Sequence, residues 1–252
     1  MIALDLSGST AVVTGGGRGI GRASAIALAE AGADVTVTAR TVSELEETAA
    51  EVEKRGRRAL VVPGDATDPA TAEKVAAAAE EKFGRVSILF NNAGMELPKP
   101  LLDCTPDEFQ LVMDVNVKSM MLFTQAVGKR MIAAGGGRII NMASTGSFIA
   151  GPNQALYHAA KAACAHFTRA VAIEWARHKV YINAVAPGWV NTDLISHLTG
   201  DPEKLKKYIA GIPMRRLGEP EEIARVVVFL ASQLAGYMTG SIVVVDGGMM
   251  IP

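Results

Sequence analysis

Short apolar, β-branched runs alternate with longer helical stretches along the whole chain, and this alternation limits the fold more than any other feature. The runs read as strands at Ser9–Val13, Val35–Thr38, Ala59–Val62, Val86–Phe90, Arg138–Met142, Val180–Val185 and Ile242–Val245. Between them lie helical stretches at Arg22–Ala31, Val42–Arg55, Pro69–Phe83, Pro106–Ala134, Ala155–Arg177 and Glu219–Ala231. Strands that are apolar on both faces belong in a parallel sheet covered by helices on both sides. The pattern predicts an α/β fold: a doubly wound, seven-stranded parallel sheet. No linker or repeat interrupts it, so residues 1–252 are read as one domain. The alanines at 76 to 79 read as close packing on the sheet, and Gly128 as a bend in the long helix.

In such a sheet the ligand lies beyond the carboxyl ends of the strands, near the switch in strand order. The first of these ends is Thr14-Gly-Gly-Gly-Arg-Gly-Ile-Gly21. A strand that turns through glycines into a helix aims free N–H groups at one point, which suits a phosphate. The glycines at 15, 19 and 21 do not make the G-x-G-x-x-G fingerprint. A Walker loop is excluded too, because Arg22 and Ala23 stand where Lys and Ser or Thr are required.

Composition removes other classes. With 49% hydrophobic residues the chain can fill a core, and a net charge of −1 offers nothing to nucleic acid or an anionic membrane. The amino terminus lacks a signal-peptide pattern, and no apolar run is long enough to span a membrane. Cys104 and Cys164 make neither a disulfide framework nor a metal spacing. A cytoplasmic setting follows as the expectation. Histidines 158, 166, 178 and 197 form no ligand cluster, so no catalytic metal is expected.

Thr-Gly-x-x-x-Gly-Ile-Gly (14–21), Asp65, Asn-Asn-Ala-Gly (91–94), Asn116, Ser144, Tyr157-x-x-x-Lys161 and Pro187-Gly188 occur in that order. With the run from Pro213 to Gly248, they resemble the short-chain dehydrogenase/reductase family over nearly the whole chain. The resemblance implies a Rossmann-like fold and hydride transfer between a nicotinamide cofactor and a carbonyl or secondary alcohol. It is nearest to 3-oxoacyl carrier-protein reductases, with sugar, polyol and sugar-acid dehydrogenases close behind. A dinucleotide sensor without turnover would lack Tyr157 or Lys161, and a methyltransferase would not need them.

The resemblance makes Asn116, Ser144, Tyr157 and Lys161 the catalytic set. Tyr157 and Lys161 lie one turn apart on a helix face. An ammonium about 5 Å away favours phenolate by roughly 3 kcal/mol, or about 2 pKa units, which would make Tyr157 a working acid/base. Ser144 would donate to the substrate oxygen. A hydrolase reading fails because Met142 occupies the first glycine position of G-x-S-x-G. Asn116 would hold a water for the proton relay in a bent helix, and His158 is given no role.

Cofactor contacts are implied at Gly15, Gly17, Arg18, Gly19, Ile20 and Gly21 in the first turn, and at Arg40, Asp65 and Ala66 around the adenosine. Others fall at Asn91, Ala93, Gly94, Tyr157, Lys161, Pro187, Gly188, Val190 and Thr192. Ala39 replaces the acidic residue that binds the 2′-hydroxyl of NAD, and Arg40 follows it. With Arg18, this predicts preference for NADP(H), with NAD(H) still usable.

A small-molecule substrate would meet a partly apolar pocket and lid over residues 189–214, drawing on Trp189, Leu194, Ile195, Leu198, Tyr208 and Ile212. Lys129-Arg130 and Arg177–Lys179 would either dock an acidic acyl carrier or sit as favourable charges at helix ends. Met120, Met121, Phe123, Ala163, Phe167 and Trp175 exceed what one sheet face needs, which with the resemblance predicts a homotetramer.

Overall fold

The computed structural model describes residues 4–195 and 200–251; His197, Leu198 and Pro252 lie outside them. Its strands are β1 (Thr10–Thr14), β2 (Asp34–Thr38), β3 (Ala59–Val61), β4 (Ile88–Asn91), β5 (Gly137–Met142), β6 (Val180–Pro187) and β7 (Ile242–Val245). They form one sheet of seven strands in the order β3-β2-β1-β4-β5-β6-β7, and every pairing is parallel. Order reverses between β1 and β4, where Ala11 stands opposite Ile88.

The helices are α1 (Gly19–Glu30), α2 (Val42–Glu53), α3 (Pro69–Phe83), α4 (Pro106–Met113), α5 (Ser119–Ala133), α6 (Ala155–Trp175), α7 (Pro202–Ala210) and α8 (Pro220–Ala231). The period of two in the strands sorts side chains between two cores. Ala11, Val13, Ile88 and Phe90 pack with Leu28 of α1, Leu45 of α2 and Val227 of α8. Val12 and Leu89 point the other way, onto Val75 and Ala79 of α3 and Phe123, Val127 and Met131 of α5. Ala76 and Ala79 are fully buried on the sheet, whereas Ala77 between them is exposed, so only one side of the alanine run packs closely.

The long helix predicted over 106–134 is divided. A π-helical turn at Asp114–Lys118 separates α4 from α5, and the irregularity lies there rather than at Gly128. Gly128 has another cause. A Cβ on it would fall 2.2 Å from the Trp175 ring, so the glycine lets α5 approach α6. Trp175 is half-buried against Gly128, while Phe123 and Met120 are core residues at 0% and 3% exposure. Phe123 and Met120 are therefore not the surplus surface that the sequence reading made them.

Candidate active site

The glycine turn between β1 and α1 is shaped by main-chain crowding. Gly15 has φ +62°, a left-handed conformation that favours glycine. A Cβ on Gly21 would stand 2.0 Å from the Gly15 carbonyl oxygen. The turn is clamped from the end of β4. The Asn92 amide donates to the carbonyls of Thr14 and Gly15, each at 3.0 Å. In return, the Thr14 hydroxyl accepts from the N–H groups of Asn92 and Ala93, each at 3.0 Å. Helix α1 begins without a side-chain cap and with no acidic residue in its first turn. Its free N–H groups around Gly19, Ile20 and Gly21 suit a diphosphate.

Thr192 and Val190 close this end from beyond β6. A Cβ on Gly19 would lie 3.4 Å from the Thr192 methyl group, and the Thr192 hydroxyl donates to the Val190 carbonyl at 3.4 Å. Gly188 sits against Asp246 after β7, leaving no room for a side chain. Arg40 is exposed just past β2. Asp65 accepts from the Thr67 N–H and hydroxyl, which, with Arg40 and Lys118 nearby, hold its carboxyl below the usual range. Arg18 has two acidic neighbours, Glu44 at 3.9 Å and Asp193 at 3.7 Å. The side chain of Asn91 turns inward, donating to Thr124 and Asn141. Only its backbone is left to face a ligand.

The four residues expected to do chemistry converge past β4 and β5. Ser144 caps a short turn after β5, its hydroxyl accepting from the Gly146 N–H at 3.0 Å. Tyr157, in the first turn of α6, lies close enough to Ser144 for that residue to act on its hydroxyl. Lys161 is 3% exposed, and its ammonium lies 5.7 Å from the Tyr157 ring centroid and donates to the Met142 carbonyl at 3.0 Å. Asn116 lies in the π turn, and its side chain holds both backbone groups of Met95, donating to the carbonyl at 2.9 Å and accepting from the N–H at 3.3 Å. A Cβ on Gly94 would meet Asn116 Oδ1 at 3.0 Å and Lys161 Nζ at 3.3 Å, so this loop needs its glycine.

The acid–base balance differs from the sequence expectation. Burial pushes the Tyr157 hydroxyl up to about 12, against a lowering by Ser144 and with the Glu96 charge adding to the rise. The ammonium faces the ring and is tied to Met142, and burial lowers its own pKa. A helical spacing of four fixes a shared face but not where the charged tip points.

Several contributors were not singled out. Asn92 sits in the quoted Asn-Asn-Ala-Gly motif, so a signal was present. Ser147 donates to the Lys161 carbonyl at 2.7 Å, and the buried Cys164 thiol donates to the Asn116 carbonyl at 3.2 Å. His158 does have structural work: it packs on Gly146 and accepts from the Gly151 N–H at 3.3 Å. Glu96 and Gln154 meet on the rim, with Gln154 Nε2 3.5 Å from Glu96 Oε2.

Residues 15–250 match a family model described as enoyl-(acyl carrier protein) reductase. The chain belongs to the short-chain dehydrogenase/reductase family. This dehydrogenase/reductase is 40% identical over 246 residues to a galactitol 2-dehydrogenase of Rhizobium johnstonii, covering 96% of this chain and 95% of that one. It is 38% identical to a 3-oxoacyl-[acyl-carrier-protein] reductase of Synechocystis, covering 98% of each. Among solved structures, it resembles a gluconate 5-dehydrogenase of Burkholderia cenocepacia in complex with NADP and tartrate. There the TM-score is 0.94 at 33% identity, covering 99% of this chain and 98% of that one. It is an NAD(P)-dependent oxidoreductase acting on CH–OH and C=O groups. No helix among the described residues is long and apolar enough to cross a membrane.

Proposed function

We propose that this enzyme interconverts a secondary alcohol of a polyol or sugar with the corresponding ketone, using NADP(H) in preference to NAD(H). The observation that carries the chemistry is the convergence of Ser144, Tyr157 and Lys161, with the buried Lys161 ammonium 5.7 Å from the Tyr157 ring centroid and donating to the Met142 carbonyl at 3.0 Å. The glycine turn and the uncapped start of α1 fit a dinucleotide diphosphate; Asp65 and Arg40 would hold its adenosine, and Val190 and Thr192 its nicotinamide. The cofactor supplies or accepts the hydride when bound.

The chain's own residues handle the proton. In reduction, Ser144 donates a hydrogen bond to the carbonyl oxygen and Tyr157 gives that oxygen its proton. In oxidation, the Tyr157 phenolate takes the proton back. Lys161 steadies the phenolate as its charge develops, and Asn116 fixes the Met95 loop beside it.

The sugar and polyol class is preferred here to the 3-oxoacyl class that the sequence resemblance put first. The galactitol 2-dehydrogenase likeness supports it, and so does the polar rim at Glu96 and Gln154. The basic pair considered as a carrier dock is occupied. Arg130 contacts Glu73 at 2.6 Å and Glu80 at 3.0 Å, and Lys129 contacts Glu73 at 3.4 Å.

Absorbance at 340 nm, followed over a panel of hexitols, aldonates and 3-oxoacyl thioesters with each cofactor, tests the reading. Turnover of a hexitol with NADP⁺ is the expected result; activity confined to the thioester would overturn it. A homotetramer is part of the proposal. Exposed Leu102, Ile173 and Tyr237, at 99%, 83% and 106%, supply the apolar surface for it. Light scattering that gives a stable 26.4 kDa monomer at micromolar concentration would refute the tetramer.

A further inference from the structure

Helix α6 delivers both Tyr157 and Lys161, yet much of the side it buries is small: Ala160, Ala165 and Ala172. Dispersion between alanines and their neighbours has no preferred direction, so it fixes neither the rotation nor the depth of the helix. Hydrogen bonds do have direction. Lys161, Cys164 and Thr168 are all buried, and their spacing of three and then four residues puts them along one edge of α6. Each is tied to a different part of the frame.

At Lys161, the Ser147 hydroxyl beyond β5 donates to the main-chain carbonyl at 2.7 Å, and the ammonium donates to Met142. One turn on, the Cys164 thiol donates to the Asn116 carbonyl at 3.2 Å. That carbonyl belongs to the π turn, where the helical ladder is irregular, so the thiol ties α6 to the turn that carries Asn116. One turn further, the Thr168 hydroxyl donates to the Cys164 carbonyl and accepts from the Asn141 amide, each at 2.9 Å. Asn141 of β5 accepts in turn from Asn91 of β4 at 2.9 Å, and Asn91 also donates to Thr124 of α5 at 3.0 Å. A buried polar line therefore runs from β4 through β5 to the edge of α6 that presents Lys161. Removing one member leaves its partner buried and unpaired, which costs more than the bond itself contributes.

We propose that Cys164 and Thr168 are positioning residues for the proton transfer: together they set the depth and rotation at which α6 presents Lys161 to Tyr157 and Asn116. Neither residue touches the reacting atoms. The Cys164 thiol is closed off from solvent and serves as a hydrogen-bond donor. The proposal rests on the acid/base reading above and holds for whichever secondary alcohol the enzyme oxidises.

The test measures two quantities for the alcohol that wild type oxidises best with NADP⁺: KM, and the single-turnover rate of NADPH formation, which product release does not mask. Thr168→Val keeps the shape and removes the hydroxyl, and Thr168→Ser keeps the hydroxyl. Cys164→Ala and Cys164→Ser make the same contrast between losing and keeping a donor. Ile88→Val lies in the core on the opposite face of the sheet and serves as a variant that loses stability alone. Thr168→Val and Cys164→Ala should each slow the single turnover by about 3- to 10-fold, and the double variant by about 10- to 100-fold, with KM held within about twofold. Both Ser variants should recover to within about twofold of wild type, and Ile88→Val should melt earlier yet keep the rate. Wild-type rates in Thr168→Val and Cys164→Ala, a slowing no greater than that of Ile88→Val, or Ser variants as slow as their partners would overturn the positioning role. Full turnover in Tyr157→Phe would instead overturn the acid/base reading on which it rests. NADPH binding, followed by fluorescence, verifies that each variant is folded.

Discussion

At the cofactor end, the turn around Gly15 and Gly21 is fixed by main chain against main chain, with Asn92 and Thr14 clamping carbonyls and N–H groups. At the proposed substrate end, Ser144, Tyr157 and Lys161 come together through side-chain tips whose setting comes from burial and from neighbours far away in the chain. The first arrangement admits few residue types at each position and leaves a pattern in the sequence. The second admits many, and its chemistry depends on orientation. A mutation should therefore damage binding at one end and chemistry or selectivity at the other.

The sharpest way to break that division is to mutate both ends in parallel. Tyr157→Phe should lower turnover by roughly 10²–10⁴-fold while NADPH binding stays near wild type, because only the transferable proton is removed. Near-normal turnover in the purified variant would take the acid/base role away from Tyr157. Gly21→Ala should do the opposite: its Cβ must displace the Gly15 carbonyl, and cofactor affinity should fall about 10- to 100-fold. A fluorescence titration showing unaltered NADPH affinity would mean that the turn yields more easily than its crowding implies.

The pH dependence sharpens the substrate side. Alcohol oxidation needs the phenolate, and a raised pKa makes that form scarcer at any given pH. With Tyr157 near 12, each unit of pH above 7 multiplies its phenolate about tenfold, so oxidative kcat/KM should climb steadily from pH 7 to 10. A plateau below pH 9 in the wild-type profile would show that the bound cofactor overcomes the effect of burial.

The smallest effect is expected in cofactor choice. Arg18 is shared with Glu44 and Asp193, so Arg40 carries much of the contrast. NADPH should be favoured by about tenfold, the lower end of what one charge-assisted hydrogen bond provides. Ala39→Asp with Arg40→Leu should bring NADH level or ahead. Wild-type kcat/KM favouring NADH would remove the assignment.

Much of the fold could be read from the sequence because parallel strands covered on both faces need uninterrupted apolar runs. The predicted strands fell within one or two residues of those observed, as with Val86–Phe90 against Ile88–Asn91. Gly128 was misread because a helical glycine looks the same whether it permits a bend or a close approach, and only the Trp175 ring distinguishes them. The ordered motifs pointed to the residues of the proposed catalytic set, which the structure brings together, but not to the direction of the Tyr157 shift, since spacing says nothing about burial. Glu96 and Gln154 stayed hidden because their meeting depends on two loops 58 residues apart in sequence.

The adjacency of β1 and β4 also governs how the chain must assemble. Everything up to β3 can pair locally, yet the glycine turn has no clamp until Asn92 arrives beside Thr14, 78 positions later. A chain still emerging from the ribosome with only three strands free thus carries an unfinished dinucleotide cradle. Closing such a distant contact is slow compared with forming a helix. Cofactor added during refolding should consequently bind late, after the middle of the sheet has zipped together, and should act as a lock on the finished sheet rather than as a seed for it.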